Sequence, residues 1–190
     1  MDYWSEKPGV GGNIVDKLLN YTILTPMCVV EWALVENLGR GKILTYAHIY
    51  EMVASTIHKV TNRVRQIVIA RNQPGLPPDQ VALLDETLGK EQAEMRQLFA
   101  VVEDALKGVA EGSADAMAES ADQDTEDEAL LRGWGRRWLR VFRRKMAVEV
   151  AWVAEMLAGG TVELEEVAAA NGNGGTNGGG NEMDAMEDIS

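Results

Sequence analysis

The chain has 190 residues, of which 46% are apolar and 25% charged, and its formal net charge is -12. That balance excludes a wholly disordered chain, and no apolar run reaches the roughly 18 residues that a membrane span needs. The single cysteine, Cys28, excludes an intramolecular disulfide and a thiolate metal cage and suits a reducing compartment such as cytosol or nucleus. The first ten residues carry charge and proline where a signal peptide would be apolar, so export is not expected.

Residues 13–24 predict a short helix, because Ile14, Leu18 and Tyr21 recur at helical spacing and Val15 and Leu19 widen the stripe. Gly11 and Gly12 are expected to free the chain just before it. Thr25 then has the chemistry of an N-cap and Pro26 suits the first helical position, where no N–H is needed. The helix they open runs through Trp32 to Leu38, and Gly39 is the expected left-handed stop, with residues 39–42 as the turn.

From residue 43 to 71, Ala47, Tyr50, Val53, Ile57, Val60, Val64 and Val68 keep a three-to-four spacing, which predicts one long amphipathic helix. Pro74, Pro77 and Pro78 end it, and Asp79 is placed to cap a second long helix whose stripe includes Leu84, Leu88, Met95, Phe99, Val102 and Leu106. Two long helices on a short Pro-rich turn pack antiparallel. Gly89 weakens the middle of the second. Residues 111–128 are acidic and rich in small side chains, as a solvated linker is, and a last amphipathic helix is expected over about residues 129–158. The Gly-Asn tail after residue 170 reads as disordered. The expected fold is all-α, built of successive helical hairpins, with a scaffold domain over residues 1–160 and an acidic, disordered tail over 161–190.

Charge is uneven along the chain. Residues 132–145 hold seven basic and no acidic groups, against eight acidic and no basic in 111–131 and nine acidic and no basic in 146–190. At about 100° per residue, Arg132, Arg136, Arg137, Arg140, Arg143 and Arg144 fall on one arc of the last helix, whereas Trp134, Trp138, Val141, Phe142, Trp152, Val153 and Met156 fall on the other. The tryptophans are therefore expected in the core, and the six arginines are the candidate contacts for a partner or RNA. Two readings stand side by side: the row is open to a phosphate or carboxylate ligand, or the acidic linker or tail lies across it. Elsewhere the chain repels phosphate backbones, which favours a protein partner over broad nucleic-acid binding.

Other motifs dissolve on inspection. Gly39, Arg40, Gly41 and Lys42 lack the spacing of a phosphate loop, and His48 and His58 lie about 15 Å apart along a helix, too far to share a metal ion. Cys28 has no His-containing nucleophile constellation, and Glu165 and Glu166 lack rigid support for acid–base work. No catalytic, metal or cofactor site is expected.

Residues 3–34, YWSEKPGVGGNIVDKLLNYTILTPMCVVEWAL, followed by YAHIYEMVASTIHKVTNRV, resemble the large subunit of nuclear cap-binding complexes, of fungal type. The match is to the last of that family's three helical-repeat domains, similar to the middle domain of initiation factor 4G, and the residues that carry it are Leu24, Thr25, Pro26, Val30, Trp32, Tyr50, Glu51, Ser55, Thr56 and Lys59. The resemblance implies a HEAT- or armadillo-like stack of antiparallel helix pairs acting as a non-catalytic scaffold. It also implies a heterodimer with a small subunit whose RNA-recognition domain holds the methylated cap, so that capped RNA is met only indirectly. RNA processing, export and surveillance factors follow as further partners, and the nucleus, with shuttling to the cytoplasm, as the location; no membrane is involved. Animal members insert a long charged coiled coil between the two long helices, where this chain has only residues 72–78. The family's preceding domains are missing, so the chain reads as a C-terminal piece. Helix pairing alone also fits an initiation-factor-type scaffold in translation, and the arginine row fits a direct RNA binder.

Overall fold

The computed structural model describes residues 8–112 and 125–159, all within one packed unit. Every element among the described residues is helical: α1 (Pro8–Asn20), α2 (Pro26–Glu31) continued by a π-turn (Trp32–Glu36), a kinked 3-10 segment (Gly39–Thr45), α3 (Ala47–Arg71), α4 (Pro78–Glu111) and α5 (Thr125–Leu157). The central 12 residues of the acidic linker, 113–124, lie outside the described residues, as do the tail over 161–190 and the segment carrying Trp4.

The long helices pack as antiparallel neighbours. Arg71 bonds Asp85 near the α3–α4 turn and Arg63 meets Glu91 at 2.7 Å two turns further on, so the two helices of the hairpin run in opposite directions. Glu103 of α4 meets Arg143 of α5 at 2.8 Å, and Val109 lies against Gly135, which makes α5 antiparallel to α4 in turn. α5 therefore returns parallel to α3, and Arg65–Glu149 and the Asn72 amide, which donates to the Met156 carbonyl at 2.8 Å, join the two at matching heights. The last contact supplements the Gly159 N–H, which donates to the same Met156 carbonyl at 3.4 Å as α5 ends.

The core lies between these three helices and is extended by Val30, Ala33 and Leu34 of α2 and its π-turn and by Leu44 of the 3-10 segment. Val53, Ile57, Val64 and Val68 of α3, Leu88, Met95, Leu98, Phe99, Val102 and Leu106 of α4, and Trp138, Leu139, Phe142, Val153 and Met156 of α5 are all buried. Tyr50, Trp138 and Phe142 form an aromatic trio, with Trp138 edge-on to Tyr50 at 5.1 Å between ring centroids. Such pairs contribute about 1 kcal/mol beyond their buried area.

Local chemistry explains most boundaries. Thr25 caps α2, its hydroxyl oxygen accepting the Cys28 N–H at 3.2 Å, with Pro26 at the first helical position as expected. The start of α1 corrects the sequence reading: Gly11 and Gly12 lie inside it, and Gly11 is buried, so packing on α3 outweighs the roughly 1 kcal/mol by which each glycine disfavours a helix. The long helix expected from residue 43 begins only at Ala47, because Tyr46 is extended, at φ -89° and ψ 116°, and separates residues 43–45, which belong to the 3-10 segment, from α3. Asp79 is not the cap of α4; Pro77 holds that position with no side-chain hydrogen bond, and Asp79 falls in the first turn. No described helix is long and apolar enough to cross a membrane.

Candidate interaction surface

α5 opens with Glu126, Asp127 and Glu128, whose charges oppose the positive end of the helix dipole. Its inner face is closed by Trp138, Leu139, Phe142, Val153 and Met156. A carboxylate joins them: Glu149 is only 5% exposed and accepts from Arg65 Nε at 2.7 Å and from the second Arg65 nitrogen at 3.2 Å, while Lys145 stands 3.4 Å away. The Arg65 guanidinium also lies over the Trp152 ring, 4.8 Å from its centroid. Charge-assisted bonds of this kind keep a buried carboxylate from standing alone.

The six arginines divide into groups that periodicity does not separate. Arg132 is half-buried and pairs within its own helix with Glu128 at 2.8 Å, while its Nε is buried without an acceptor among the described residues. Arg143 turns to α4 and donates to Glu103 through two nitrogens, at 2.8 and 3.1 Å. Hydrogen bonds from Lys107 and then Arg143 hold the Glu103 carboxyl below the usual carboxylate range. Arg137 lies over the Trp134 ring, 5.4 Å from the centroid. Arg136, Arg140 and Arg144 remain exposed, with no ion pair among the described residues. They stand four residues apart, about 6 Å per step along the axis. This trio is the open part of the basic face.

Two apolar assignments change. Val141, placed on the inner arc by its spacing, is 39% exposed and shares the outer face with the arginine trio. Trp134 and Trp152 are half-buried beneath Arg137 and Arg65 rather than enclosed in the core.

A second surface went unseen in the sequence. Between α1, α2 and α3 lies a groove of about 390 Å³ whose floor is Val15, Leu24, Val29, Trp32 and Met52. Glu31 and Glu36 stand at its edge, and Cys28 opens into it. No local pattern marked it, because the exposure of Ile23 beside the Thr25 cap is set only once the helices have packed. Among the described residues no cluster of histidine, cysteine and carboxylate side chains is placed to hold a metal ion; His58 bonds Asn62 at 2.9 Å and His48 lies against Tyr46.

Comparison with known proteins bears on what these surfaces are for. No curated protein and no solved structure matches the chain. A family model described as MIF4G like matches residues 1–151, from before α1 to near the end of α5. The helix-on-helix architecture and this match over most of the chain agree, and the protein belongs to the MIF4G-like family of helical domains.

Proposed function

We propose that this MIF4G-like domain is a non-catalytic scaffold in the large subunit of a nuclear cap-binding complex, supporting the small subunit that holds the capped RNA and presenting helix faces to processing, export and surveillance factors. The observation that carries the reading is the family match over residues 1–151, because that span contains both stretches of the resemblance. Leu24, Thr25 and Pro26 at the start of α2 and Tyr50, Glu51, Ser55, Thr56 and Lys59 of α3 are the residues on which the resemblance to this branch rests. The work of such a domain is binding and positioning. It acts in the nucleus, with shuttling to the cytoplasm.

The test is a calorimetric titration of the chain with the purified small RNA-recognition subunit, with and without a capped oligonucleotide, at two salt concentrations. Saturable one-to-one binding that changes little with salt is expected of a packed protein interface. Absence of binding by a chain with intact helical circular dichroism overturns the reading.

One observation favours a second reading, direct RNA binding: Arg136, Arg140 and Arg144 are exposed and without an ion pair among the described residues. Binding through three phosphates makes log K fall with log salt at a slope near -2, about -0.7 per contact for single strands. The Arg136→Ala, Arg140→Ala, Arg144→Ala variant then loses that slope while its helicity and stability hold.

A further inference from the structure

We propose that the groove between α1, α2 and α3 is a docking site for a short segment of a partner protein, one with large apolar side chains flanked by lysine or arginine. This site is separate from the arginine trio and does not depend on the cap-complex reading.

Size and lining come first. A cleft of about 390 Å³ floored by Val15, Leu24, Val29, Trp32 and Met52 lies within the range of clefts that hold ligands. It accommodates a few large side chains. The apolar surface continues outward from both walls, through Ile23, 66% exposed, next to Leu24, and Val35, 58% exposed, one turn from Trp32. A single exposed apolar residue means nothing, whereas apolar residues continuing a groove onto its rim mark an interaction site.

The backbone around the groove is unusual at two points. From Trp32 the helix widens into a π-turn, in which both the Asn37 backbone N–H, at 3.1 Å, and its side-chain amide, at 2.7 Å, donate to the Trp32 carbonyl. Trp32 and Glu36, the two ends of this π-turn, both line the groove; single π-turns are frequent at functional sites. Opposite, Thr22 has φ 55°, a conformation that a β-branched residue rarely adopts. The turn is pinned by Ile23 and Leu24, whose N–H groups both donate to the Leu18 carbonyl at 2.9 and 3.3 Å, and it leaves Ile23 pointing to solvent.

Charge selects the occupant. Glu31 and Glu36 are the charged residues lining the groove, both are exposed, and neither has an ion pair among the described residues. Two free carboxylates beside an apolar floor repel nucleic acid, acidic peptides and anionic membrane surfaces, and match a basic-flanked apolar segment.

The single cysteine makes the proposal measurable, because Cys28 is exposed within the groove, its sulfur accepting from the Thr25 hydroxyl at 3.0 Å. The full chain is treated with iodoacetamide, and Cys28 alkylation is followed by intact mass in the presence of three peptides: KKLFKLLKK, its acidic counterpart EELFELLEE, and the anchorless KKSGKSSKK. KKLFKLLKK is expected to slow alkylation by tenfold or more at saturation, and the other two to leave it unchanged. The Glu31→Lys, Glu36→Lys variant keeps its helicity and binds KKLFKLLKK about tenfold more weakly, the effect of losing two exposed ion pairs. The Trp32→Ala variant loses about thirtyfold, as an anchor at the centre of an interface does. The proposal is overturned if EELFELLEE protects equally, if charge reversal changes nothing, or if KKLFKLLKK binds without protecting Cys28 and so sits on an acidic segment elsewhere. Protection that rises with protein concentration alone, tracked by sedimentation, identifies the occupant as a second copy and also overturns it.

Discussion

The α4–α5 interface and the α1–α2 flank are built by opposite means. Between α4 and α5 the backbones meet at a glycine: a Cβ on Gly135 would stand 3.0 Å from Val109 Cγ1 and 3.1 Å from the Ala110 nitrogen. The same Val109 is also met by Gly41, where a Cβ would come within 2.7 Å of Cγ1. One valine of α4 is thus in contact with both the 3-10 segment and α5. On the flank, large side chains face a gap instead. Within α1 the only buried residue among 9–20 is Gly11, and hollows lie on both sides of the helix. Small residues close an interface because backbones can approach, and large ones left without a facing element leave a groove for something else to fill. Closed packing thus belongs to the part of the fold that carries stability, and open packing to the part available for recognition.

The sharpest way to break the closed side is Trp138→Ala. The ring is 2% exposed and touches Tyr50 and Phe142, so its removal should cost about 3–5 kcal/mol, seen as a large drop in the urea midpoint. A neighbouring pair then separates packing from helix propensity. Gly135→Ala should destabilise by about 1–3 kcal/mol through overpacking against Val109 and Ala110. Gly133→Ala, two residues away with open space around its Cβ, should stabilise by up to about 1 kcal/mol. Thermal melts of both variants check the sign as well as the size; equal effects would show that the glycine grip is not what closes α4 on α5.

The smallest effect concerns pH. Glu103 is held below the usual carboxylate range by hydrogen bonds from Lys107 and Arg143, so its contribution is present above its unfolded pKa and lost as pH falls through the folded value. Glu91, on the other side of α4, is pushed up by burial against the pull of Arg63, so its contribution has the opposite sign and is lost as pH rises through the raised value. Denaturation at several pH values between about 3 and 7 should show a shallower acid loss for Glu103→Gln and a steeper one for Glu91→Gln than for the unmodified chain. Matching slopes would mean that neither carboxylate is linked to folding.

Much of the fold is legible because its signals are local. The stripes of α3 and α4, the Pro-rich turn and the Thr25 cap each depend on residues within about four positions of one another, the reach of one helical turn. Local patterns misled where a distant element intervened. Gly11 and Gly12 resemble a free linker until α3 supplies a surface for them, and Val141 falls on the inner arc although no helix covers it. The basic face shows the same limit. Periodicity groups six arginines, but Arg143 is claimed by Glu103, forty residues earlier in the chain, and Arg132 by Glu128. Among the described residues Arg136, Arg140 and Arg144 stay open; the claims on Arg132 and Arg137 are made within α5, but that on Arg143 required α4 to be in place.

What the sequence alone determined, then, is the helical architecture and its breaks, since hydrophobic spacing, caps and prolines act along the chain. The π-turn at Trp32, the left-handed Thr22, the grip on Val109 and the groove with its two carboxylates, unpaired among the described residues, were decided by tertiary structure. Each depends on which helix face meets which neighbour, and a side chain's charge or apolar surface becomes free or spent only once the opposing element has arrived.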